Sequence, residues 1–312
     1  MNANYFLILL ILFSGCSQKQ EYSIIDRLSV IPASVIKMNS SIDSYPPILY
    51  SDDYYAPVAL DFPVNTAGAE DGPFISQGSD DLYFFFTPDV RVPVNEQLFD
   101  NVTGLYVSHK VGNNWTMPKR IWLNSPGKVS LDGCYFVAND TLWFCSAREE
   151  FTGLEWFTAK YAGNDTWTDW KIAGFPDSYE VGELHISADG KTMYFHSAKS
   201  GGKGGYDLWR TELINGSWAE PINVEELNTE FTEGWPYLSE DGLELWFLRV
   251  YLGTPAIMRS VWNGTGWSEP ELIVSQFAGE PAFDKEGNLY FIHHYYNNNV
   301  MIEADIYVAY KK

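Results

Sequence analysis

The chain has few basic residues, few cysteines and no long apolar run beyond its first residues. Only 20 Lys and Arg stand against 41 Asp and Glu in 312 residues, so the formal net charge is −21. A polyanion has no electrostatic attraction to phosphate backbones, which excludes nucleic acid as a partner. After residue 13 no segment is apolar enough to cross a membrane. The sequence also lacks Gly-x-Ser-x-Gly, which excludes the nucleophile elbow of α/β-hydrolases.

Helical periodicity is absent as well, whereas aromatic residues are abundant. No apolar pattern with a period of 3.6 residues is sustained, which excludes a helical solenoid. Phe, Trp and Tyr make up 16% of the chain, with 12 Trp and 20 Tyr. Aromatic side chains favour the pleated, half-buried surface of a sheet. The composition therefore predicts an all-β fold.

The N-terminus has the pattern of an export signal. Residues 5–13, "YFLILLILF", form an apolar stretch of signal-peptide length, and "FSGCS" follows it. These residues resemble a lipoprotein cleavage box, in which Cys16 would become the lipidated first residue of the mature chain. An ordinary cleaved signal is the alternative. We expect residues 1–16 to be a lipoprotein-type signal peptide, 17–44 to be a polar tether, and the protein to be anchored in the cell envelope, facing the periplasm or the exterior.

Two short patterns repeat along the chain. Tryptophans of one kind of segment stand 52, 51 and 49 residues apart: Trp115, Trp167, Trp218 and Trp267. An aromatic couplet occurs five times: Tyr83-Phe84, Trp143-Phe144, Tyr194-Phe195, Trp246-Phe247 and Tyr290-Phe291. Each repeat is predicted to hold four short strands, with the tryptophan segment as the fourth. Four strands in about 50 residues are typical of a β-propeller blade.

The last repeat ends without a fourth strand. Residues around 54–62, ahead of the first repeat, have the pattern of the missing strand. A strand that closes the ring removes the open sheet edges. The sequence therefore predicts a single, monomeric five-bladed β-propeller of four-stranded blades over residues 45–312, in which an N-terminal strand completes the last blade.

The repeats carry a family resemblance. "EGWPYLSEDGLELWF" (233–247) and "SADGKTMYFHSAKSGGKGGYDLW" (187–209) resemble the TolB-type, WD-repeat-like β-propeller family of envelope proteins. The resemblance implies the fold but no single activity, because such relatives act as interaction scaffolds, periplasmic partners or lids on unrelated enzymes. Function therefore has to be argued from the site.

Acidic residues recur at or near the start of each innermost strand. They are Asp71, Asp132, Glu183, Glu233 and Glu280. Because innermost strands line the channel of a propeller, these carboxylates could converge near one mouth. Crowded carboxylates stay protonated or bind a cation, so one interpretation is an axial site for a divalent cation or a polar ligand. The alternative is that each acid caps its own turn or is solvated. No other cofactor is expected.

The two remaining cysteines belong to one predicted hairpin. A two-residue turn at Asn139-Asp140 would set Cys134 opposite Cys145. An exported protein permits disulfides. A cross-strand bridge and two buried free thiols both remain open.

Two segments fall outside the strand pattern. Residues 86–99 and 293–299 are predicted as long loops on one propeller face, where binding commonly occurs. The leading hypothesis is a non-enzymatic scaffold that binds a protein or glycan partner through these loops and contacts the membrane only through its lipid anchor. The alternative is a glycoside hydrolase or lyase that acts on polysaccharide through axial carboxylates.

Overall fold

The computed structural model of the protein describes residues 25–76, 79–124 and 128–312. The predicted signal peptide, 1–16, and its Cys16 lie outside these residues. Of the predicted tether, 17–44, the structure describes 25–44. No helix within the described residues is long and apolar enough to span a bilayer.

Short strands make up almost all of the regular structure. In chain order they are β1 (Ile48–Leu49), β2 (Val58–Ala59), β3 (Ala69–Ile75), β4 (Leu82–Thr87), β5 (Gly104–Ser108), β6 (Lys110–Val111), β7 (Asn114–Trp115), β8 (Lys119–Arg120), β9 (Ser130–Ala138), β10 (Thr141–Arg148), β11 (Glu155–Tyr161), β12 (Trp167–Ile172), β13 (Leu184–Ile186), β14 (Thr192–Ser197), β15 (Asp207–Ile214), β16 (Ser217–Trp218), β17 (Ile222–Asn223), β18 (Glu233–Leu238), β19 (Glu244–Tyr251), β20 (Thr254–Val261), β21 (Glu271–Ser275), β22 (Ala278–Phe283), β23 (Leu289–Asn297) and β24 (Val300–Ala309). Helical turns occur at Arg27–Val30 and Asp177–Tyr179, which are 3-10 turns, and at α1 (Val94–Gln97).

The strands form five antiparallel sheets, which we number as blades 1 to 5. Their strand orders are β3-β4-β5-β8, β9-β10-β11-β12, β13-β14-β15-β17, β18-β19-β20-β21 and β22-β23-β24. The first strands of the blades contact one another in a closed cycle, from β3 to β9, β13, β18, β22 and back to β3. The sheets therefore form a ring, which confirms the predicted five-bladed β-propeller.

The ring is closed by β2, which supplies the fourth strand of blade 5. Val58 lies opposite Val308 and Ala59 opposite Tyr307 on β24. The predicted closing strand is thereby confirmed. In addition, β1 pairs with β21 and gives blade 4 a fifth strand, which the sequence did not predict.

The aromatic couplets explain how the blades pack. Neighbouring residues on a strand point to opposite faces, so each couplet presents one ring to each adjacent blade. The second member is fully buried in every repeat: Phe84, Phe144, Phe195, Phe247 and Phe291. The first member is buried in four repeats and partly buried at Trp143. Large aromatic side chains are thus the main contacts between blades.

The fourth strands begin later than the sequence predicted. Trp115 and Trp218 lie on β7 and β16, which only extend a hairpin of the third strand, and Trp267 makes an isolated bridge. In these three repeats a proline follows and the fourth strand starts directly after it: Pro118, Pro221 and Pro270. Proline donates no N–H, so it ends the hairpin extension. Blade 2 lacks this proline, and there Trp167 begins the fourth strand itself.

The two predicted loops differ in their structure. Residues 86–99 leave β4 and contain α1, so they form a connection of their own. Residues 293–297 instead continue β23, and Asn298 and Asn299 make a two-residue turn with positive φ angles of 47° and 62°. Asparagine tolerates this left-handed conformation, so the second segment is a long hairpin and not a loop.

Residues 25–44 contact the propeller directly. The guanidinium of Arg27 pairs with Glu70 in blade 1, and the ammonium of Lys37 pairs with Glu303 and Asp305 in blade 5. Both contacts fall on the N-terminal side of the predicted domain boundary at residue 45. The described part of the predicted tether therefore bridges the first and last blades.

Candidate axial ligand pocket

The first strand of four blades carries a β-bulge at the same place. The register shifts just before the residue that pairs with the first aromatic of the couplet. The bulged residues have positive φ angles of 59°, 44°, 49° and 54°: Gly72, Cys134, Trp235 and Glu280. Glu183 holds the equivalent position in blade 3, two residues before His185, which pairs with Tyr194. We call these five positions the axial ring. A bulge re-aims a side chain, and bulges are common beside functional sites.

The axial ring surrounds a cavity of about 350 Å³, which we call the axial pocket. Carboxyl groups and aromatic rings both line it, notably Asp71, Glu183, Glu280, Tyr135, His185 and Trp235. Val94 and Gln97 of α1 reach its edge from the 86–99 connection. One of the two predicted loops therefore contributes to this site.

Three of the five predicted axial acids meet in the axial pocket. They are Asp71, Glu183 and Glu280. Asp71 is the neighbour of the ring residue Gly72, and its side-chain carboxylate accepts a hydrogen bond from the backbone N–H of Gly72, with N and Oδ1 2.9 Å apart.

Asp132 and Glu233 do not reach the axial pocket, contrary to the expected convergence. Each lies two residues before a ring residue, on the other side of the bulge, and pairs with an arginine of its own blade. Nη2 of Arg148 lies 2.7 Å from Oδ1 of Asp132, and Nε of Arg249 lies 2.8 Å from Oε1 of Glu233. These two acids form ion pairs between strands of their own blades and do not line the axial pocket.

Burial and crowding raise the pKa of two axial carboxyls. Burial raises the pKa of Glu280 well above its usual range, and the charges of Glu183 and Asp71 raise it further. Burial and the charge of Asp71 raise the pKa of Glu183 to about 7, although hydrogen bonds from Trp235 and Cys134 oppose this. Glu280 therefore holds its proton to higher pH than an ordinary glutamate, and Glu183 titrates near neutral pH.

Asp71 behaves in the opposite way. Burial alone would raise its pKa, but the charge and hydrogen bond of His294 and the N–H of Gly72 lower it. Nε2 of His294 lies 3.4 Å from Oδ1 of Asp71. The pocket thus holds one ionised carboxylate beside carboxyls that keep their protons to higher pH, a separation typical of sites that bind or transfer protons.

His185 forms the inner wall of the pocket. Its side chain is 4% exposed, and its ring centroid lies 4.7 Å from that of Phe136 and 4.6 Å from that of Tyr237. Burial lowers the pKa of His185 to about 3, so the ring is neutral. The imidazole borders the cavity. A neutral imidazole offers one donor and one acceptor.

The cysteines are free thiols in this structure. Asn139 and Asp140 form the predicted turn, but the bulge at Cys134 shifts the register, so that Cys145 lies opposite Gly133. Cys134 therefore belongs to the axial ring rather than to a directly opposed pair.

Sequence reasoning missed the roles of Trp235, Tyr135 and Glu70. The signal was the order of residues around the bulge. Gly-Glu-Pro at 279–281 puts the acid on the ring, whereas Glu-Gly-Trp-Pro at 233–236 puts it before the ring. Within the described ranges no group of three or more His, Cys, Asp or Glu is placed to hold a metal ion.

Comparison with known proteins supports the fold. No family model matches the chain, and no curated protein is similar to it in sequence. Among solved structures, an α-L-arabinofuranosidase from Lactobacillus brevis has a TM-score of 0.52 and 12% identity, covering 79% of this chain and 92% of that one. A Bacteroides ovatus protein described as xyloglucan PUL GH43B has a TM-score of 0.49 and 15% identity, covering 81% of this chain and 54% of that one. A putative TolB from Agrobacterium tumefaciens has a TM-score of 0.42 and 14% identity, covering 75% and 73%. At such identities the likeness is one of fold, that of a β-propeller.

Proposed function

We propose that this protein is an exported, lipid-anchored β-propeller that binds a glycan in its axial pocket without cleaving it. The observation that carries the proposal is the pocket itself, where carboxyl groups face aromatic rings in a cavity of about 350 Å³. Ligand pockets commonly measure roughly 300–1,000 Å³ and combine apolar walls with a few polar groups. The axial pocket therefore suits one sugar residue or the end of a chain.

The chemistry of the wall suits a sugar. Ionised Asp71 accepts hydrogen bonds, the carboxyls of Glu183 and Glu280 accept when ionised and donate when protonated, and neutral His185 can do both. The indole of Trp235 gives an apolar face beside them. A concave site of this size offers far less area than the roughly 800 Å² per partner that a stable protein interface buries, which favours a glycan over a protein.

The binding test uses the full chain in mild detergent on a glycan array, followed by calorimetry with the best ligand. Glu183→Gln and Trp235→Ala change the pocket, and Glu150→Gln and Trp262→Ala change exposed positions outside it. We expect a loss of at least tenfold in affinity for the first pair and none for the second. Equal affinity in all four variants would place the glycan elsewhere and contradict the proposal.

A lipid anchor on Cys16 is the second part of the proposal. It rests on the apolar segment 5–13, the small residues before Cys16, and the TolB-type pattern of the repeats at 187–209 and 233–247. Metabolic labelling with a lipid precursor should mark the native chain and leave Cys16→Ala unlabelled and released from membranes. Unchanged membrane association of Cys16→Ala would refute the anchor.

A glycoside hydrolase is the second candidate function. One observation favours it: Asp71, whose pKa is lowered, and Glu280, whose pKa is raised, share the pocket, and the base and the acid of such enzymes are separated in the same direction. Polysaccharides incubated with the full chain should yield no new reducing ends or shorter products by mass spectrometry. Product release that Asp71→Asn abolishes would establish the enzyme instead.

A further inference from the structure

We propose that the ligand of the axial pocket carries a positive charge, namely a free amino group on a sugar. This inference rests on the proposed function and narrows it to one class of glycan. It follows from how the chain pairs its other buried acids, from the lack of a counter-charge in the pocket wall and from the aromatic rings beside the pocket carboxyls.

Elsewhere in the described residues, the buried acids discussed above have a basic partner from the chain itself. Arg27 pairs with Glu70, Arg148 with Asp132, Arg249 with Glu233, and Lys37 with Glu303 and Asp305. Such pairing is what burial of a carboxylate requires. Five buried acids are therefore neutralised by a basic side chain of the chain itself, whereas buried Asp207 accepts from the backbone N–H of Lys203 instead.

The axial pocket departs from this pattern. Its lining residues include no Lys and no Arg. His294 pairs with Asp71, but no basic side chain among the described residues forms an ion pair with Glu183 or Glu280. Two carboxyls that face a cavity without a counter-charge are matched by a ligand that brings one, because a bound cation lowers their raised pKa values and favours the ionised carboxylates.

The rest of the wall favours a cation as well. Trp235 and Tyr135 adjoin the carboxyls, and the faces of such rings attract ammonium groups. His185 stays neutral, so it adds no repulsion. A neutral imidazole at the cavity wall can accept from an ammonium or exchange hydrogen bonds with a hydroxyl. An amino sugar presents both kinds of group.

The test is calorimetry on the full chain in detergent at about pH 6.5, where a sugar amine is mostly protonated. The probes are glucosamine, N-acetylglucosamine and glucose, which differ in the charge at one position. A short chitosan oligomer then distinguishes a free sugar from a chain end. We expect glucosamine to bind at least tenfold more tightly than the two neutral sugars.

Variants test whether the pocket carboxyls cause this preference. Glu280→Gln and Glu183→Gln keep the shape of the side chain, and each should lower the affinity for glucosamine at least tenfold. Glu150→Gln, at an exposed position, should leave this affinity unchanged. Circular dichroism checks that each variant is folded. A variant that loses the preference for amine but still binds neutral sugar supports the inference even if its total affinity falls.

The outcomes separate the inference from the proposed function. If neutral sugars bind as tightly as glucosamine, the inference that the ligand is positively charged is wrong, but the proposal of glycan binding stands. If none of the sugars binds, with or without an amine, both the inference and the proposal of glycan binding are contradicted. Calcium or magnesium chloride that binds the pocket and displaces glucosamine would show that the counter-charge is a metal ion, which overturns the inference.

Discussion

Arg27 and Glu70 form a buried ion pair across 43 residues of sequence, with Nη1 of the arginine 2.9 Å from Oε1 of the glutamate. In blade 4 the equivalent acid, Glu233, faces Arg249 on the neighbouring strand. In blade 1 Phe86 takes that place opposite Glu70. The guanidinium of Arg27 lies over the ring of Phe86, 5.2 Å from its centroid, so a residue outside the repeats supplies the charge that blade 1 lacks.

Replacing Arg27 should therefore destabilise the whole propeller. Arg27→Met leaves Glu70 buried without its partner, and breaking a buried pair in this way costs about 3–5 kcal/mol. Urea unfolding followed by circular dichroism measures the loss. Arg91→Met removes an exposed arginine that pairs with Asp89 and should change the midpoint much less.

The double variant Arg27→Met/Glu70→Gln separates charge from packing. It should recover part of the lost stability, because no unpaired carboxylate remains. A double variant as unstable as Arg27→Met would show that the pairing with Glu70 is not the cause. A midpoint for Arg27→Met equal to that of the native chain would mean that residues 25–44 do not hold blade 1.

The acids that Lys37 contacts should make stability depend on pH. Burial raises the pKa of Glu303 to about 7 from an ordinary 4.5; Asp305 adds to this, and Lys37 opposes it. The folded pKa lies above the unfolded one, so the folded state binds more protons between these values. The stabilising contribution is complete below about pH 4.5 and is lost as pH rises through about 7.

Glu303→Gln should remove this dependence. Over that pH range the free energy of unfolding of the native chain should fall by roughly 2–3 kcal/mol from this group. In Glu303→Gln the free energy of unfolding should fall by that much less over the same pH range. Urea unfolding at a series of pH values measures this. Glu150→Gln, at an exposed site, should keep the native slope; equal slopes in all three proteins would contradict the assignment.

The repeat architecture could be predicted because its signals are local. Each couplet sets a buried ring on each face of one strand, and period-2 alternation is visible in the sequence itself. The closing strand followed from counting strands. The start of the fourth strand was misplaced at Trp218 because the hairpin extension has the same composition as a strand, and only the proline after it marks the boundary.

The axial pocket was only partly predictable, because a shift of one residue decides what faces the axis. Glu233 and Glu280 both stand beside glycine near the start of a first strand, yet the bulge sends one toward Arg249 and the other into the cavity. The bulge is a backbone feature that proline and glycine permit but do not specify alone. The contact of Arg27 depends on the folded ring and has no local signal.

The coupling between the axial acids can be tested by removing one charge. Asp71 raises the pKa of both Glu183 and Glu280 through like-charge repulsion. Asp71→Asn should therefore lower both pKa values, by roughly one pH unit for Glu183. Carbon-13 NMR titration of the glutamate carboxyls measures this. Unchanged values would mean that Asp71 is too far from the other two carboxyls to act with them on one ligand.

The thiols give an independent test of the bulge. The pKa of Cys134 is raised well above its usual value by its hydrogen bond with Cys145, by burial, and by the charges of Glu183 and Glu280. The thiolate is the reactive form, so native Cys134 should react with iodoacetamide at neutral pH at least tenfold more slowly than in urea. Mass spectrometry of the peptides that contain Cys134 and Cys145 measures each rate separately from Cys16.

The same experiment distinguishes the two arrangements of the hairpin. With Cys145 opposite Gly133, as in this structure, both thiols take up the label once the chain unfolds without reductant. A bridge requires a specific geometry of the two side chains, and in this structure the two thiols are in contact without being bonded. If labelling in urea occurs only after a reductant is added, then Cys134 and Cys145 are bridged, which would contradict the free thiols of this structure.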